Sequence, residues 1–180
     1  MSSDYPETPI TRHTLSSNAA YAKDSHPADM AQTGPAPTQH YAVITCMDAR
    51  LLPSVPSALG IAPGAAHIIR NGGGSAHDAL RSLLASQHML MTEEVLVIKH
   101  TDCGFSHFAK NEVVREKVAG MGEGAKRTAE AIDFEPIGED LEGAVRRDVE
   151  YLRAEEALKH RGKISGWVWE TDSGRLRRVC

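Results

Sequence analysis

The chain has 180 residues, of which 41% are hydrophobic and 24% are charged, and its formal net charge is −4. This length suits one domain with a sizeable core. The slightly negative net charge does not favour binding to nucleic acid or to an anionic membrane. No apolar run approaches the ~20 residues of a membrane helix, and no basic then apolar leader opens the chain, so we expect a cytoplasmic protein.

The three cysteines are too few, and odd in number, for a disulfide scaffold. In a reducing compartment, cysteines beside histidine indicate metal binding or catalysis before they indicate bridges. Cys180, the final residue, is interpreted as an inert thiol of the chain end.

Residues 1–39 are rich in Ser, Thr, Pro and Ala and show little periodicity. This composition predicts a surface arm, with partial disorder as an alternative, and its prolines disfavour a long helix. From Tyr41 onwards the sequence contains apolar, β-branched runs in place of this composition. Residues 40–180 are therefore predicted to form a single folded domain.

Strand and helix patterns alternate from Tyr41 onwards. Three short β-branched runs predict buried strands, and the third is apolar on both faces, which is typical of a central parallel strand. Ser75 is a plausible N-cap for a helix, and a longer helical pattern covers residues 139–161, whose charged residues are interpreted as a solvated face. The last segment predicts a hairpin around "TDSG". The strand runs are "YAVIT", "AAHIIRN" and "EVLVIKH".

This alternation predicts an α/β fold with a mostly parallel central sheet, flanking helices and a C-terminal hairpin or extra edge strand. Chemistry-bearing residues follow two of the predicted strands. Cys46, Asp48 and Arg50 end the first, and His100 and Cys103 end the third. Ligands gather at the carboxyl ends of the strands in an open parallel sheet, so both groups are expected to converge.

Two thiolates and one imidazole suit zinc, and three protein ligands leave a position open, as catalytic zinc sites do. Zinc lowers the pKa of bound water from ~15.7 towards ~7, which supplies hydroxide at neutral pH. Asp48 could orient that hydroxide while Arg50 holds the carboxylate, or Asp48 could bind the metal as a fourth ligand and switch the site off.

Each residue alone has a more ordinary interpretation. A single cysteine at a strand end is usually a small core residue, and an Asp–Arg pair is usually a salt bridge. Asp102 is interpreted as a turn former between strand and helix, with a supporting role at the site as the alternative. The glycines of "RNGGG" indicate close backbone approach beside the metal pocket and lack a phosphate-binding pattern.

The motifs "CMDAR", "RNGGG" and "HTDCG", in this order, resemble those of the β-class carbonic anhydrases. The resemblance extends from about Tyr41 to Val179 and includes "DLEGAVRRDVEYLR" and the closing strands. It implies a sheet of about four parallel strands and a zinc-binding catalytic domain over residues 40–180. It also implies zinc ligands at Cys46, His100 and Cys103, with Asp48 and Arg50 as the catalytic aspartate–arginine dyad.

The implied reaction is reversible hydration of carbon dioxide to bicarbonate and a proton by zinc-bound hydroxide, with one zinc ion per chain. The resemblance further implies a homodimer or dimer of dimers, to which the arm at 1–39 could contribute by crossing onto the partner. No nucleic acid or membrane partner is expected.

Two alternatives stay open at this stage. Some short members of the family hydrolyse carbon disulfide or carbonyl sulfide with the same ligands, and the motifs do not separate these substrates. A non-catalytic zinc-stabilised binding domain is the alternative of another class, although such a domain would need neither Asp48 nor Arg50. The sequence also leaves the proton shuttle unassigned among four histidines, His67, His77, His88 and His107.

Overall fold

The structure is a computed structural model that describes residues 8–26, 34–52, 54–107 and 110–180. The chain divides into two units, Met1–Gly34 and Pro35–Cys180. The first contains helix α1, Pro9–Asp24, whose residues are all exposed. The expectation that prolines disfavour a long helix here is wrong, because Pro9 lies in the first turn, where an N–H has no acceptor within the helix.

A five-stranded sheet organises the second unit, with strand order β2-β1-β3-β4-β5. The first four strands are parallel and β5 runs antiparallel to β4, which confirms the predicted α/β fold and its C-terminal edge strand. The strands are β1 Tyr41–Cys46, β2 Ala66–Asn71, β3 Glu94–His100, β4 Ile164–Glu170 and β5 Arg175–Arg178.

Helices connect the parallel strands. Ser75 caps α3 as predicted, since its Oγ accepts a hydrogen bond from Asp78 N at 3.0 Å. None of the helices in the described part of the chain combines the length and the apolar character that a membrane span needs. The helices of this unit are α2 Ser54–Ala58, α3 Ala76–Met89, α4 Asn111–Ala119, α5 Glu123–Glu130 and α6 Leu141–Ala154.

Helix α6 is shorter than the helical pattern over residues 139–161 predicts. It ends at Ala154 because Leu158, which is 2% exposed, turns back into the core. The Gln87 side chain then accepts hydrogen bonds from the backbone N–H groups of Lys159 and His160, at 2.9 and 3.3 Å. A tertiary contact therefore ends this helix.

The sheet has a hydrophobic core on each face. One core packs α3 and α6 against β1 and β3, around Ile44, Leu83 and Leu152. The other includes Cys46 and Cys103 among its buried members. The two cysteines therefore lie inside packed structure at the carboxyl ends of the strands, where side-chain positions are tightly constrained.

Candidate metal centre

The ends of β1 and β3 bring three candidate ligands together. Cys46 is the last residue of β1, His100 is the last residue of β3, and Cys103 follows within the next turn. Their ligand atoms all lie within 4.8 Å of one another, and the two Sγ atoms are 3.7 Å apart. Three residues from separated positions therefore share one small, buried volume.

His100 presents its Nε2 atom to this volume in a form that can bind a metal. Its Nδ1 lies 2.9 Å from the carbonyl oxygen of Thr101. Because a carbonyl can only accept, Nδ1 carries the proton and Nε2 carries the lone pair in the neutral ring. Nε2 is buried and has no hydrogen-bond partner among the described residues.

The donor set fits zinc. An unpartnered buried imidazole nitrogen is costly unless something binds it, and two sulfur atoms complete a ligand group of the type that zinc prefers. In the part of the chain that the structure describes, no other group of three or more His, Cys, Asp or Glu side chains is arranged to hold a metal ion. The residues present can therefore hold zinc with three ligands.

The two thiols differ in acidity because each affects the other. The hydrogen bond with the Cys103 thiol lowers the pKa of Cys46, although burial acts in the opposite direction. The same bond, together with burial, raises the pKa of Cys103. Without a metal, the state with one thiolate, at Cys46, is thus favoured over the state with two, because two neighbouring thiolates repel each other. A bound cation would relieve this repulsion.

Arg50 holds the Asp48 carboxylate by both oxygens. Its Nε lies 3.0 Å from Asp48 Oδ1 and its Nη2 lies 2.7 Å from Oδ2. The hydrogen bonds from Arg50 keep the pKa of Asp48 well below its usual range. Asp48 Oδ2 is 3.8 Å from His100 Nε2, so an ionised carboxylate borders the ligand group.

Asp102 anchors Arg50 from the other side. Arg50 Nη1 donates to Asp102 Oδ2 and Nη2 donates to the Asp102 carbonyl oxygen, both at 2.7 Å. Asp102 has a φ of 53°, which is the left-handed conformation that aspartate tolerates in turns. The residue is therefore a turn former and also a partner of the arginine.

Sequence reasoning assigned no role to Arg70, which supports the exit segment of β1. Arg70 donates through Nε to the carbonyl oxygen of Cys46 at 3.0 Å and through Nη2 to that of Asp48 at 2.7 Å. The arginine lies in the "RNGGG" motif on the neighbouring strand, but its partners are backbone atoms. A pattern of side-chain types gives no signal for such a contact.

The glycines that follow Arg70 approach other backbone closely, as predicted. A Cβ on Gly74, whose φ is 63°, would lie 3.1 Å from the backbone nitrogen of Cys46. A Cβ on Gly72 would overlap the ring of Phe105. The turn thus packs directly against both segments that carry cysteine.

The four histidines considered as proton shuttles lie in different surroundings. His107 Nε2 is 3.2 Å from Asp102 Oδ1, so it is connected to Arg50 through one carboxylate. The other three contact groups away from the ligands: His67 with Ser86, His77 with Glu135, and His88 with the carbonyl oxygen of Ala157.

Fold and site together define an α/β protein with a buried Cys–His–Cys centre of zinc type at the carboxyl edge of a parallel sheet. A family model described as carbonic anhydrase matches residues 41–176. The chain is 33% identical over 144 residues to β-carbonic anhydrase 1 of Mycobacterium tuberculosis, a match that covers 79% of this chain and 83% of the relative. The chain therefore belongs to the β-carbonic anhydrase family, whose members use zinc.

Two further similarities agree with this membership. A carbon disulfide hydrolase of Acidithiobacillus thiooxidans is 34% identical over 150 residues, covering 75% of this chain and 74% of that protein. The solved structure of a carbonic anhydrase from Glaciozyma antarctica superposes with a TM-score of 0.78 at 30% identity, covering both chains completely. The family thus contains relatives named for two different substrates.

Proposed function

We propose that this protein is a zinc-dependent carbonic anhydrase that reversibly hydrates carbon dioxide to bicarbonate and a proton. Cys46, His100 and Cys103 would hold one zinc ion per chain. Zinc bound by such a set lowers the pKa of a coordinated water towards about 7 and so supplies hydroxide at neutral pH.

Asp48 and Arg50 have distinct roles in this proposal. The carboxylate of Asp48 borders the ligand group and stays ionised, so it would accept a hydrogen bond from the nucleophilic oxygen and orient that oxygen towards the substrate. Arg50 fixes the plane of that carboxylate, and Asp102 fixes Arg50. The dyad thereby orients the nucleophile without reorganisation during the reaction.

A single observation carries the proposal: His100 Nε2, which has no hydrogen-bond partner among the described residues, faces two cysteine sulfurs beside an ionised Asp48. The test combines metal analysis of the purified protein with stopped-flow measurement of acidification after mixing with carbon dioxide. We expect about one zinc per chain and a rate well above background. Zinc-loaded, folded protein that shows no rate, even at alkaline pH, would instead support the non-catalytic binding domain.

Carbon disulfide hydrolysis is the second candidate, and the 34% identical carbon disulfide hydrolase favours it. The ligand group and dyad suit attack on either substrate, because both are small linear molecules with an electrophilic carbon. Release of hydrogen sulfide from carbon disulfide, measured beside carbon dioxide hydration on the same preparation, separates the two. The substrate with the higher kcat/KM is then the preferred one.

We also propose that the protein acts in the cytoplasm as a homodimer. All three cysteines are free thiols, which suits a reducing compartment. Strand β2 lies at one edge of the sheet and can offer its outer backbone groups to a second copy. Cell fractionation tests the location, and light scattering coupled to size-exclusion chromatography tests the assembly.

A further inference from the structure

A buried ion pair lies beside the metal centre. Lys99 Nζ is 2.8 Å from Asp148 Oδ2, and their side chains are 5% and 12% exposed. The sequence interpretation of the charges on α6 as a solvated face is therefore wrong for Asp148. Lys99 Nζ also donates to the carbonyl oxygens of Gly73 and Gly74, at 3.2 and 3.3 Å. Its three donors thus have three acceptors.

The pair joins four parts of the fold. Lys99 precedes the candidate ligand His100 on β3, and Asp148 belongs to α6. Asp148 Oδ2 accepts a second hydrogen bond, from Ala76 N at the start of α3, at 3.1 Å. The carbonyls that Lys99 binds belong to the Gly72–Gly74 turn. Removal of the Lys99 charge would release both turn carbonyls from β3, and removal of Asp148 would leave Lys99 without its counter-ion on α6.

The turn is in contact with both cysteine segments. Gly74 approaches the backbone of Thr45 and Cys46 so closely that a Cβ would lie 3.1 Å away. Gly72 and Gly73 pack on the ring of Phe105, two residues after Cys103. The position of the turn therefore limits where each sulfur can lie.

Stability alone does not explain such a pair. Desolvating two charges costs several kcal/mol, and apolar side chains of similar volume often stabilise a protein as well or better. Apolar side chains cannot, however, bind the carbonyl oxygens of the turn. The carbonyl contacts are thus the property that requires a hydrogen-bond donor at position 99.

We propose that Lys99 and Asp148 are positioning residues for the metal centre. They hold the Gly72–Gly74 turn against the cysteine segments and so set the spacing of Cys46 and Cys103 for the ion. This inference rests on the metal site of the proposed function. Neither residue touches substrate or reacting atoms in this role.

Lys99→Met tests the proposal, because it keeps the side-chain length and removes the charge. We expect its zinc affinity, measured by competition with a chromogenic chelator, to fall about 10-fold or more, as it does when groups that orient metal ligands are lost. The d–d spectrum of the cobalt(II)-substituted variant should also shift, since it reports ligand geometry. Lys163→Met is the matched control, because Lys163 pairs with Glu93 on the surface at 2.6 Å.

Two further variants separate positioning from stability. Leu158→Ala removes a core side chain in the same unit away from the turn, and it should lower the urea midpoint without altering zinc affinity or the cobalt spectrum. If Lys99→Met does not fold, the double variant Lys99→Met/Asp148→Leu leaves no unpaired buried charge. It should fold and still bind zinc more weakly than the wild type.

Wild-type zinc affinity and an unchanged cobalt spectrum in a folded Lys99 variant would overturn the inference while leaving the proposed function intact. A wild-type chain that binds no zinc would instead overturn the proposed function, and with it the site that these residues are inferred to position. The two failures are thus distinguished by the wild-type measurement.

Discussion

Arg50 binds Asp48 through both carboxylate oxygens, and Asp102 binds the same guanidinium from its other side. All the side-chain nitrogens of Arg50 are thereby occupied by acceptors, which raises its pKa above the usual arginine value. The arrangement fixes the plane of a carboxylate whose Oδ2 lies 3.8 Å from His100 Nε2. A planar, bidentate contact of this kind restricts rotation of the carboxylate more than a lysine could.

Asp48→Asn should lower kcat/KM for carbon dioxide by about 100-fold, a typical loss for a group that handles a proton in the transition state. The amide keeps the size of the side chain but presents an N–H₂ where an acceptor is needed. Stopped-flow hydration assays measure the effect, and zinc content should stay at the wild-type level.

Asp102→Asn is the control for that change. Asp102 contacts Arg50 and not the ligand group, so its replacement should reduce the rate by only about 10-fold, the lower end of the range for supporting residues. Wild-type activity in Asp48→Asn, with zinc bound, would show that the dyad has no role in orienting the nucleophile.

Gly74→Ala should disturb the metal centre more than Gly60→Ala. Both glycines have a positive φ, 63° and 66°, so alanine costs each about 1–2 kcal/mol of backbone strain. A Cβ at Gly60 meets nothing within 4 Å, whereas one at Gly74 lies 3.1 Å from Cys46 N.

The difference between these two variants measures the effect of the close approach between Gly74 and the backbone of Cys46. We expect the free energy of unfolding of Gly74→Ala, measured in urea, to fall by a further amount of about 1–3 kcal/mol. This variant should also bind zinc more weakly. Gly60→Ala should bind zinc as the wild type does. Equal losses in the two variants would mean that Cys46 is not constrained by the turn.

Removal of zinc with a chelator should destabilise the folded protein. At zinc about a thousandfold above its Kd, binding contributes about 4 kcal/mol, which corresponds to a Tm change of about 10 °C in a chain of this size. Calorimetry with and without chelator measures the shift. Cys103→Ser should show little dependence of Tm on zinc, and a large zinc effect in that variant would contradict the ligand assignment.

Glu135 should make stability fall as pH rises from about 4 towards 7. Burial raises the pKa of this carboxyl. The hydrogen bond from Ser75 and the charges of His77 and Lys99 act to lower it, and the charge of Asp148 acts to raise it. The folded state therefore holds its proton to a higher pH than the unfolded state, whose pKa is about 4.3. Stability is then highest below the unfolded pKa and declines as pH rises through the folded pKa.

Glu135→Gln removes this titration and keeps the side-chain size. Relative to this variant, the urea midpoint of the wild type should fall over the same pH interval, because all the other titratable groups, His77 included, are present in both proteins. If the urea midpoint of the wild type instead rises relative to that of the variant between about pH 4 and pH 7, burial is not the dominant influence on the pKa of Glu135.

The strands of the sheet and the ligand candidates were predictable because their signals are local. Alternation and β-branched content mark β1 and β3, and Cys46, His100 and Cys103 follow those strands at positions where side chains meet in a parallel sheet. The end of α6 was not predictable in this way, because it depends on Gln87, which lies far away in the chain.

The amino-acid sequence alone thus determined the parallel α/β sheet, the family and the candidate zinc ligands, since each depends on residue type and spacing along a strand or turn. Only the tertiary structure decided that Asp148 is buried against Lys99, that Arg70 binds the carbonyls of Cys46 and Asp48, and that Asp102 holds Arg50. These contacts join residues on different elements, often through backbone atoms. Their energies depend on burial and direction, which a linear pattern does not specify.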